Sequence, residues 1–354
     1  MFKSKTKYRQ HVKEGLTRAF GEAEELSFDA TREKLIVFSD LHKGSRDGAD
    51  DFRICERAYH AALGYYLEQG HTLYALGDVE ELWECNPEEV LEAYPDSLKL
   101  EAEFHKCGRY RRFWGNHDDI WGRPDQVVKH LSYFYGDDLK VQEAIRLNVT
   151  AGPTTGTLFF VHGHQGTLFS DRHRTIGRFF VHNFWRRIQR LTKRSLNTPA
   201  KDSELRGTHD TAMYEWAQGH GDNPVLIAGH THHPVFWNDW QSKLVAEKQA
   251  LDELRSASPP PSPQELAEAR AAYEHKRTLL RWSGPPPRAL DSPCYFNTGC
   301  CAFGDGDVTG IEIADGEIRL VRWLDDSGQP RPQILAQAPL DTVLKKVASP
   351  VAAG

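Results

Sequence analysis

The chain lacks the features that tie a protein to a membrane, to a disulfide framework or to a nucleic-acid backbone. No apolar stretch approaches the roughly 20 residues that a spanning helix needs. The opening Met1-Phe2-Lys3-Ser4-Lys5 leads directly into a charged segment and not into a signal peptide. The six cysteines contain no C-x-x-C pair, and two of them, Cys300 and Cys301, are adjacent. That usage argues for reduced thiols in a cytoplasmic protein. A basic excess is missing too. The net charge of −6 gives no bulk attraction to nucleic acid or anionic lipid, so either partner would need a local patch. With 354 residues, 39% of them hydrophobic, the chain exceeds the usual size of one core and implies one large domain with insertions, or two domains.

Five short polar clusters are present, each after a short apolar run. They are Asp40-Leu41-His42, Gly77-Asp78, Gly115-Asn116-His117-Asp118, His162-Gly163-His164 and Gly229-His230-Thr231-His232. The preceding runs, 35–38, 73–76, 113–114, 158–161 and 225–228, have the length of buried strands. A helix over 50–69, with Ile54, Ala58, Ala61, Ala62 and Tyr65 on one side and Gly70 as its stop, joins the first two runs as a strand–helix–strand unit. Residues that follow parallel strands converge at one edge of a sheet. Taken singly, each cluster is an ordinary turn at a strand end. Together, and in order, they gather carboxylate, imidazole and amide donors suited to two hard or borderline divalent cations. Thiolate is absent from the set, which disfavours a structural zinc site. The pattern reads as a dinuclear metal hydrolase.

Two segments depart from this alternation. Residues 170–220 are basic and helical in pattern, with Ile176, Phe179, Phe180, Phe184, Ile188 and Leu191 at near-helical spacing and arginines between them. Residues 241–281 are charged and alanine-rich, are split by Pro259-Pro260-Pro261, and read as a helical hairpin or projecting arm. An amphipathic surface helix is expected over 7–25, and a helical stretch interrupted at Pro95 over 87–106. Antiparallel strands are expected near the end, with a hairpin turn at Asp315-Gly316.

In this order the five clusters resemble the signature of the calcineurin-like metallophosphoesterase superfamily: D-x-H, G-D, G-N-H-D or G-N-H-E, H-G and G-H-x-H. The likeness spans about residues 35–323, apart from the basic segment and the arm. It implies an α/β four-layer sandwich, two mixed β-sheets flanked by helices. A helical lid at 170–220 and a helical arm at 241–283 would be inserted in a domain of residues 34–354, behind an N-terminal helical extension of residues 1–33. Carried over residue by residue, the resemblance gives Asp40, His42 and His232 to one metal, Asn116, His162 and His230 to the other, and Asp78 to both as a bridge. A shared anion suits two dications held roughly 3.5–4 Å apart. Spacing alone leaves His162 and His164 equally placed; the H-G pattern selects His162 as ligand and leaves His164 as a neighbour of metal or substrate. His117 is implied as proton donor to the leaving oxygen, with Asp118 orienting it. Lys43 and Arg46, just past the first cluster, are read as phosphoryl contacts or as surface charges near the mouth. Two divalent ions complete the set, manganese first, with iron or zinc as alternatives.

The implied activity is hydrolysis of a phosphomonoester or phosphodiester by a metal-bridging hydroxide. Within the superfamily, Asp40-Leu41-His42-x-Gly44 and Gly77-Asp78-x-x-Glu81-x-Trp83 resemble the branch of UDP-2,3-diacylglucosamine hydrolases, which cleave a lipid-linked pyrophosphate beneath a helical lid. Gly115-Asn116-His117-Asp118 stands where that branch has G-N-R-D, and His162-Gly163-His164 where it has H-G-D. A related enzyme with another substrate fits better. The alternatives are the lipid-nucleotide pyrophosphatase itself and a catalytically silent scaffold of the same fold. The basic lid is the surface through which a nucleotide-linked or lipid-linked phosphate, a nucleic acid or a membrane face would be met.

Overall fold

The computed structural model describes residues 5–166, 203–236, 240–258, 260–279, 292–325 and 328–349. Helix α1 (Lys5–Glu22) buries Val12, Leu16, Ala19 and Phe20 and is followed by β1 (Glu24–Asp29). Next come β2 (Leu35–Phe38), α2 (Phe52–Glu68), β3 (Thr72–Leu76), α3 (Pro87–Ala93), α4 (Pro95–Lys106), β4 (Tyr110–Phe113), α5 (Pro124–Tyr135) and β5 (Val141–Gln142). The chain continues through β6 (Ala144–Ala151), β7 (Thr154–Val161), α6 (Ser203–Gly219), β8 (Val225–Ala228) and β9 (Pro234–Phe236). The remaining elements are α7 (Trp240–Arg255), α8 (Pro263–Leu279), β10 (Tyr295–Thr298), β11 (Val308–Ala314), β12 (Glu317–Leu324), β13 (Arg331–Pro339) and α9 (Leu340–Ala348).

The strands form two mixed sheets flanked by helices. One has seven strands in the order β13-β12-β11-β2-β3-β4-β5, with β2 to β5 parallel. The other has six, in the order β1-β6-β7-β8-β10-β9, with β7, β8 and β10 parallel. The sheets meet face to face: Tyr74 on β3 and Phe160 on β7 bring their ring centroids to 4.9 Å. All four residues of β2 are buried, as a parallel strand covered on both faces requires. Leu35 and Val37 enter the core between the sheets, while Ile36 and Phe38 enter the core under the helices.

Helix α2 buries Ala58 and Ala62 of the side expected but is rotated, so that Ile54 and Tyr65 fall outside the core. Cys55, Tyr59, Leu63 and Tyr66 are buried with Phe52, Ala58 and Ala62, whereas Ile54 and Tyr65 are 44% and 43% exposed. The rotation sets the Tyr59 and Tyr66 rings edge-on to Phe38, at 5.7 and 6.1 Å, where aromatic pairs add to simple area burial. Of the basic segment expected over 170–220, only 203 onward falls within the described residues; the stretch bearing its aromatics and arginines lies outside them. There α6 packs beside α1, joined by the Arg9–Glu215 pair. The arm is a hairpin of α7 and α8 closed over Leu251 and Tyr273, and residues 280–283 lie outside the described residues. No helix among the described residues is long and apolar enough to cross a membrane.

Candidate metal centre

The five clusters do not share one sheet. Three follow β2, β3 and β4 of the seven-stranded sheet, and two follow β7 and β8 of the six-stranded sheet. Past the strand ends the chains keep running side by side. Asp40 N–H donates to the Gly77 carbonyl at 3.1 Å, His42 N–H to that of Asp78 at 2.9 Å, and Gly229 N–H to that of His162 at 2.9 Å. The sheets are joined across the site by His230 N–H, which donates to Asp40 Oδ2 at 2.9 Å. Two glycines allow this closeness: a Cβ on Gly115 would lie 2.1 Å from Asp78 Oδ1, and one on Gly229 2.5 Å from Asp40 Oδ2. Asp40, His42, Asp78, His230 and His232 all have left-handed backbones, with φ of 52°, 49°, 50°, 67° and 55°. Side-chain-bearing residues there cost about 1–3 kcal/mol each, and such strain gathers at functional sites.

Two groups of donors result. Asp40, His42 and His232 form one, and Asp78, His162 and His230 the other, with the donor atoms of each within 4.8 Å of one another. His232 Nε2 lies 3.2 Å from Asp40 Oδ1, and His162 Nε2 lies 3.1 Å from Asp78 Oδ2. His42 Nε2 stands 3.8 Å from a carboxylate oxygen of both Asp40 and Asp78, so the groups are contiguous. His162 Nδ1 donates to the Leu76 carbonyl at 2.8 Å, which fixes the tautomer and leaves the Nε2 lone pair aimed at the carboxylates. Asp40 Oδ1, Asn116 Oδ1, His162 Nε2 and His230 Nε2 are buried and make no hydrogen bond. Buried polar atoms are normally paired. Four orphans of ligand type, from four loops, fit divalent cations with mixed oxygen and nitrogen donors.

The electrostatics agree with the geometry. Burial opposes charge on Asp40 and Asp78, but the surrounding imidazoles outweigh it and hold both carboxyls well below the usual range. Burial also opposes a proton on His162, yet Asp78 and Asp40 push its pKa up to about 9. A field that favours a proton at Nε2 favours a dication there as well. Burial, helped by neighbouring imidazoles, drives His230 well below its ordinary value, and burial lowers His232. At both, burial works in favour of the neutral imidazole, the form that binds metal.

Several expected residues stand elsewhere than the sequence suggested. His117 Nδ1 is 2.8 Å from Glu81 Oε1, and the same carboxylate lies 3.0 Å from His42 Nδ1. Glu81, His42 and His117 thus form a third compact group, and Trp83 stacks on the His117 ring at 4.0 Å. Asp118 does not touch that imidazole's donors. Its carboxylate accepts backbone N–H groups of Gly115 at 2.6 Å, Val79 at 2.8 Å and Asp78 at 3.3 Å, so it ties two loops together. Burial disfavours the His117 imidazolium, but Glu81 and Asp78 prevail and raise its pKa. The sequence signal for Glu81 was its place three residues after Asp78. His164 is buried 4.9 Å from Trp114 and 5.4 Å from His162, ring to ring, and belongs to neither metal group.

The two expected phosphoryl or mouth cations are both committed to other partners. Lys43 is fully buried and paired with Glu101, because successive side chains past a strand alternate and His42 takes the inward place. Arg46 binds Glu56 at 2.6 Å and lies over the Tyr94 ring at 4.3 Å.

No protein-family model matches the chain, and no curated protein does. Among solved structures, a dimetal phosphatase from Danio rerio is similar at 11% identity, over 81% of this chain and 95% of that one, with a TM-score of 0.35. Likeness that low leaves the chemistry to be read from the side chains themselves.

Proposed function

We propose that the chain is a metal-dependent phosphoesterase of the calcineurin-like metallophosphoesterase superfamily. Asp40, His42 and His232 would hold one cation, Asn116, His162 and His230 the other, and Asp78 both. The convergence of four buried ligand atoms that make no hydrogen bond, from four separate loops, carries this reading, because buried polar atoms are normally paired. The order of the clusters along the chain supports it. When bound, the cations supply Lewis acidity, which acidifies water and offsets charge on a phosphoryl oxygen.

The chain's own groups supply the rest. Glu81 accepts from Nδ1–H of His117 and favours its imidazolium, whose Nε2–H is then the proton to give to a departing oxygen. Asp118 keeps the Asp78 and Asn116 loops in register through its three amide bonds. Asn116 adds a neutral oxygen, which leaves the centre positive enough to attract phosphate. Manganese suits this donor set, as do iron and zinc. The completeness of the ligand set and of the His117–Glu81 pair weighs against a silent scaffold. We read the protein as cytoplasmic from its cysteine usage. Residues 34–354 are taken as the catalytic domain, with the lid and arm as insertions.

The test is metal uptake and hydrolysis together. Purified protein should take up two equivalents of Mn2+ and cleave an aryl phosphate or a bis-aryl phosphodiester, and Asp78→Ala should lose both properties. Hydrolysis that survives in Asp78→Ala, or no hydrolysis of either ester with any divalent metal, would overturn the proposal.

A further inference from the structure

Gly163 directly follows His162, and both of its backbone polar groups are held by side chains that lead back to α1. Its N–H donates to Gln165 Oε1 at 3.1 Å, Gln165 Nε2 donates to Glu143 Oε1 at 3.3 Å, and Arg18 on α1 binds the same oxygen at 2.7 Å. Its carbonyl accepts from His209 Nε2 at 2.7 Å, and His209 Nδ1 lies 2.7 Å from the Tyr8 hydroxyl. A carbonyl only accepts, so Nε2 carries the proton, Nδ1 is the acceptor, and Tyr8 donates to it. His209 is fully buried, and its ring stands 5.0 Å from that of His230. The backbones are close as well: a Cβ on Gly166 would lie 1.9 Å from the His11 carbonyl oxygen, and one on Gly15 2.5 Å from Gly166 N. Helix α1 thus rests on the loop that carries His162.

We propose that Tyr8 and His209 are positioning residues for the cation assigned to Asp78, His162 and His230, which makes the N-terminal helix a working part of the centre. The inference rests on the two-cation reading above. The relay holds the Gly163–His164 peptide, one residue past His162, on one side and abuts His230 on the other. His42 is held instead by Glu81, away from α1, and His42 and His232 are 13% and 22% exposed at the side chain. Burial raises the pKa of the Tyr8 hydroxyl and lowers that of His209, so the relay brings no charge of its own. Its effect is geometric, as with outer partners of metal-bound histidines, whose loss weakens binding by about 10- to 100-fold.

The experiment is calorimetric titration of full-length protein with Mn2+, checked by metal analysis after desalting. Wild type should bind two equivalents. Tyr8→Phe, which removes one hydroxyl, should weaken one equivalent by about 10-fold and leave the other unchanged. His209→Leu should lose that equivalent, and His209→Gln, whose amide can still donate to the Gly163 carbonyl, should regain it in part. In a His232→Ala background, which spares only the His162–His230 group, Tyr8→Phe should weaken the equivalent that remains. Two unweakened equivalents in Tyr8→Phe and in folded His209→Leu would overturn the relay while leaving the two-cation reading intact. Should His209→Leu fail to fold, Tyr8→Phe decides alone. Fewer than two equivalents in wild type would overturn the reading on which it rests.

Discussion

Two clusters of ionisable side chains lie back to back in this protein, interleaved along the same loops. His42 is followed by Lys43, and Glu80 by Glu81. One member of each pair joins the proposed metal centre and the other joins a second cluster. There Lys43 pairs with Glu101, and Arg112 pairs with Glu80 and, at 3.9 Å, with Glu101. The Tyr110, Tyr135 and Tyr59 hydroxyls donate to Glu101 at 2.8, 3.0 and 3.2 Å, and Trp121 Nε1 donates to Glu80 at 2.9 Å. All four charged side chains are fully buried. Two positive charges meet two negative ones, so the carboxylates are neutralised from within the chain, although Glu80 Oε1 and Arg112 Nε make no hydrogen bond. Across the strand end, carboxylates and imidazoles of the metal centre leave ligand atoms unpaired. Neither burial nor an orphaned atom alone marks a functional site; here the mark is carboxylates that, among the described residues, face imidazoles and no lysine or arginine.

That contrast can be broken by substitution. The largest effect on stability is expected from Arg112→Met, which strands Glu80 in the core while Glu101 keeps Lys43. Loss of one partner of a buried pair costs about 3–5 kcal/mol, and urea denaturation should show it with or without metal. Asp78→Asn should leave stability in chelator nearly unchanged and abolish the gain in melting temperature that Mn2+ gives wild type. An equal loss of stability in both variants would erase the distinction between the clusters.

His117→Ala should keep both cations and lose about 10²- to 10⁴-fold in rate, the usual worth of a positioned acid, and most with poor leaving groups. Metal loss in that variant would show the residue to be a ligand. Glu81→Gln tests the link between the two. The raised His117 pKa means that its proton is held at pH values below the ordinary imidazole value and lost as pH rises through the folded value. The alkaline limb of the rate profile should therefore move to lower pH in Glu81→Gln, and an unmoved limb would remove Glu81 from the proton path. The smallest effect belongs to Arg46→Ala. Its side chain is 41% exposed, a half-exposed pair is worth about 0–1 kcal/mol, and turnover should not change.

Much of this was legible because apolar runs and the polar clusters after them are local signals. The strands before Asp40, Asp78, His162 and His230 were readable for that reason. The strand β4 was read only at its end, since Arg111 and Arg112 break the apolar run, and Arg112 is tolerated by a carboxylate 32 positions away. Pairing at that range leaves no local trace. The same limit explains Lys43, whose neutralising Glu101 lies on α4. Asp118 was given to His117 through adjacency in sequence, whereas the fold turns it onto backbone amides and brings Glu81 across from the neighbouring loop. The split of the five clusters between two sheets was also beyond local reading. It depends on β6 and β7 pairing antiparallel and so carrying the last two strands into a second layer.

The proposed ligands are spread from Asp40 to His232, and the loop bearing His230 and His232 is itself held from further along. Asn297 Nδ2 donates to the Gly229 carbonyl at 2.6 Å and to Thr231 Oγ1 at 3.2 Å, while the Thr298 hydroxyl meets that of Ser39, next to Asp40, at 2.6 Å. A ribosome must therefore release the greater part of the polypeptide before either proposed cation site can close. On the proposed function, ions would load only once β10 has emerged, and a fragment that stops short of β10 should be unable to retain them.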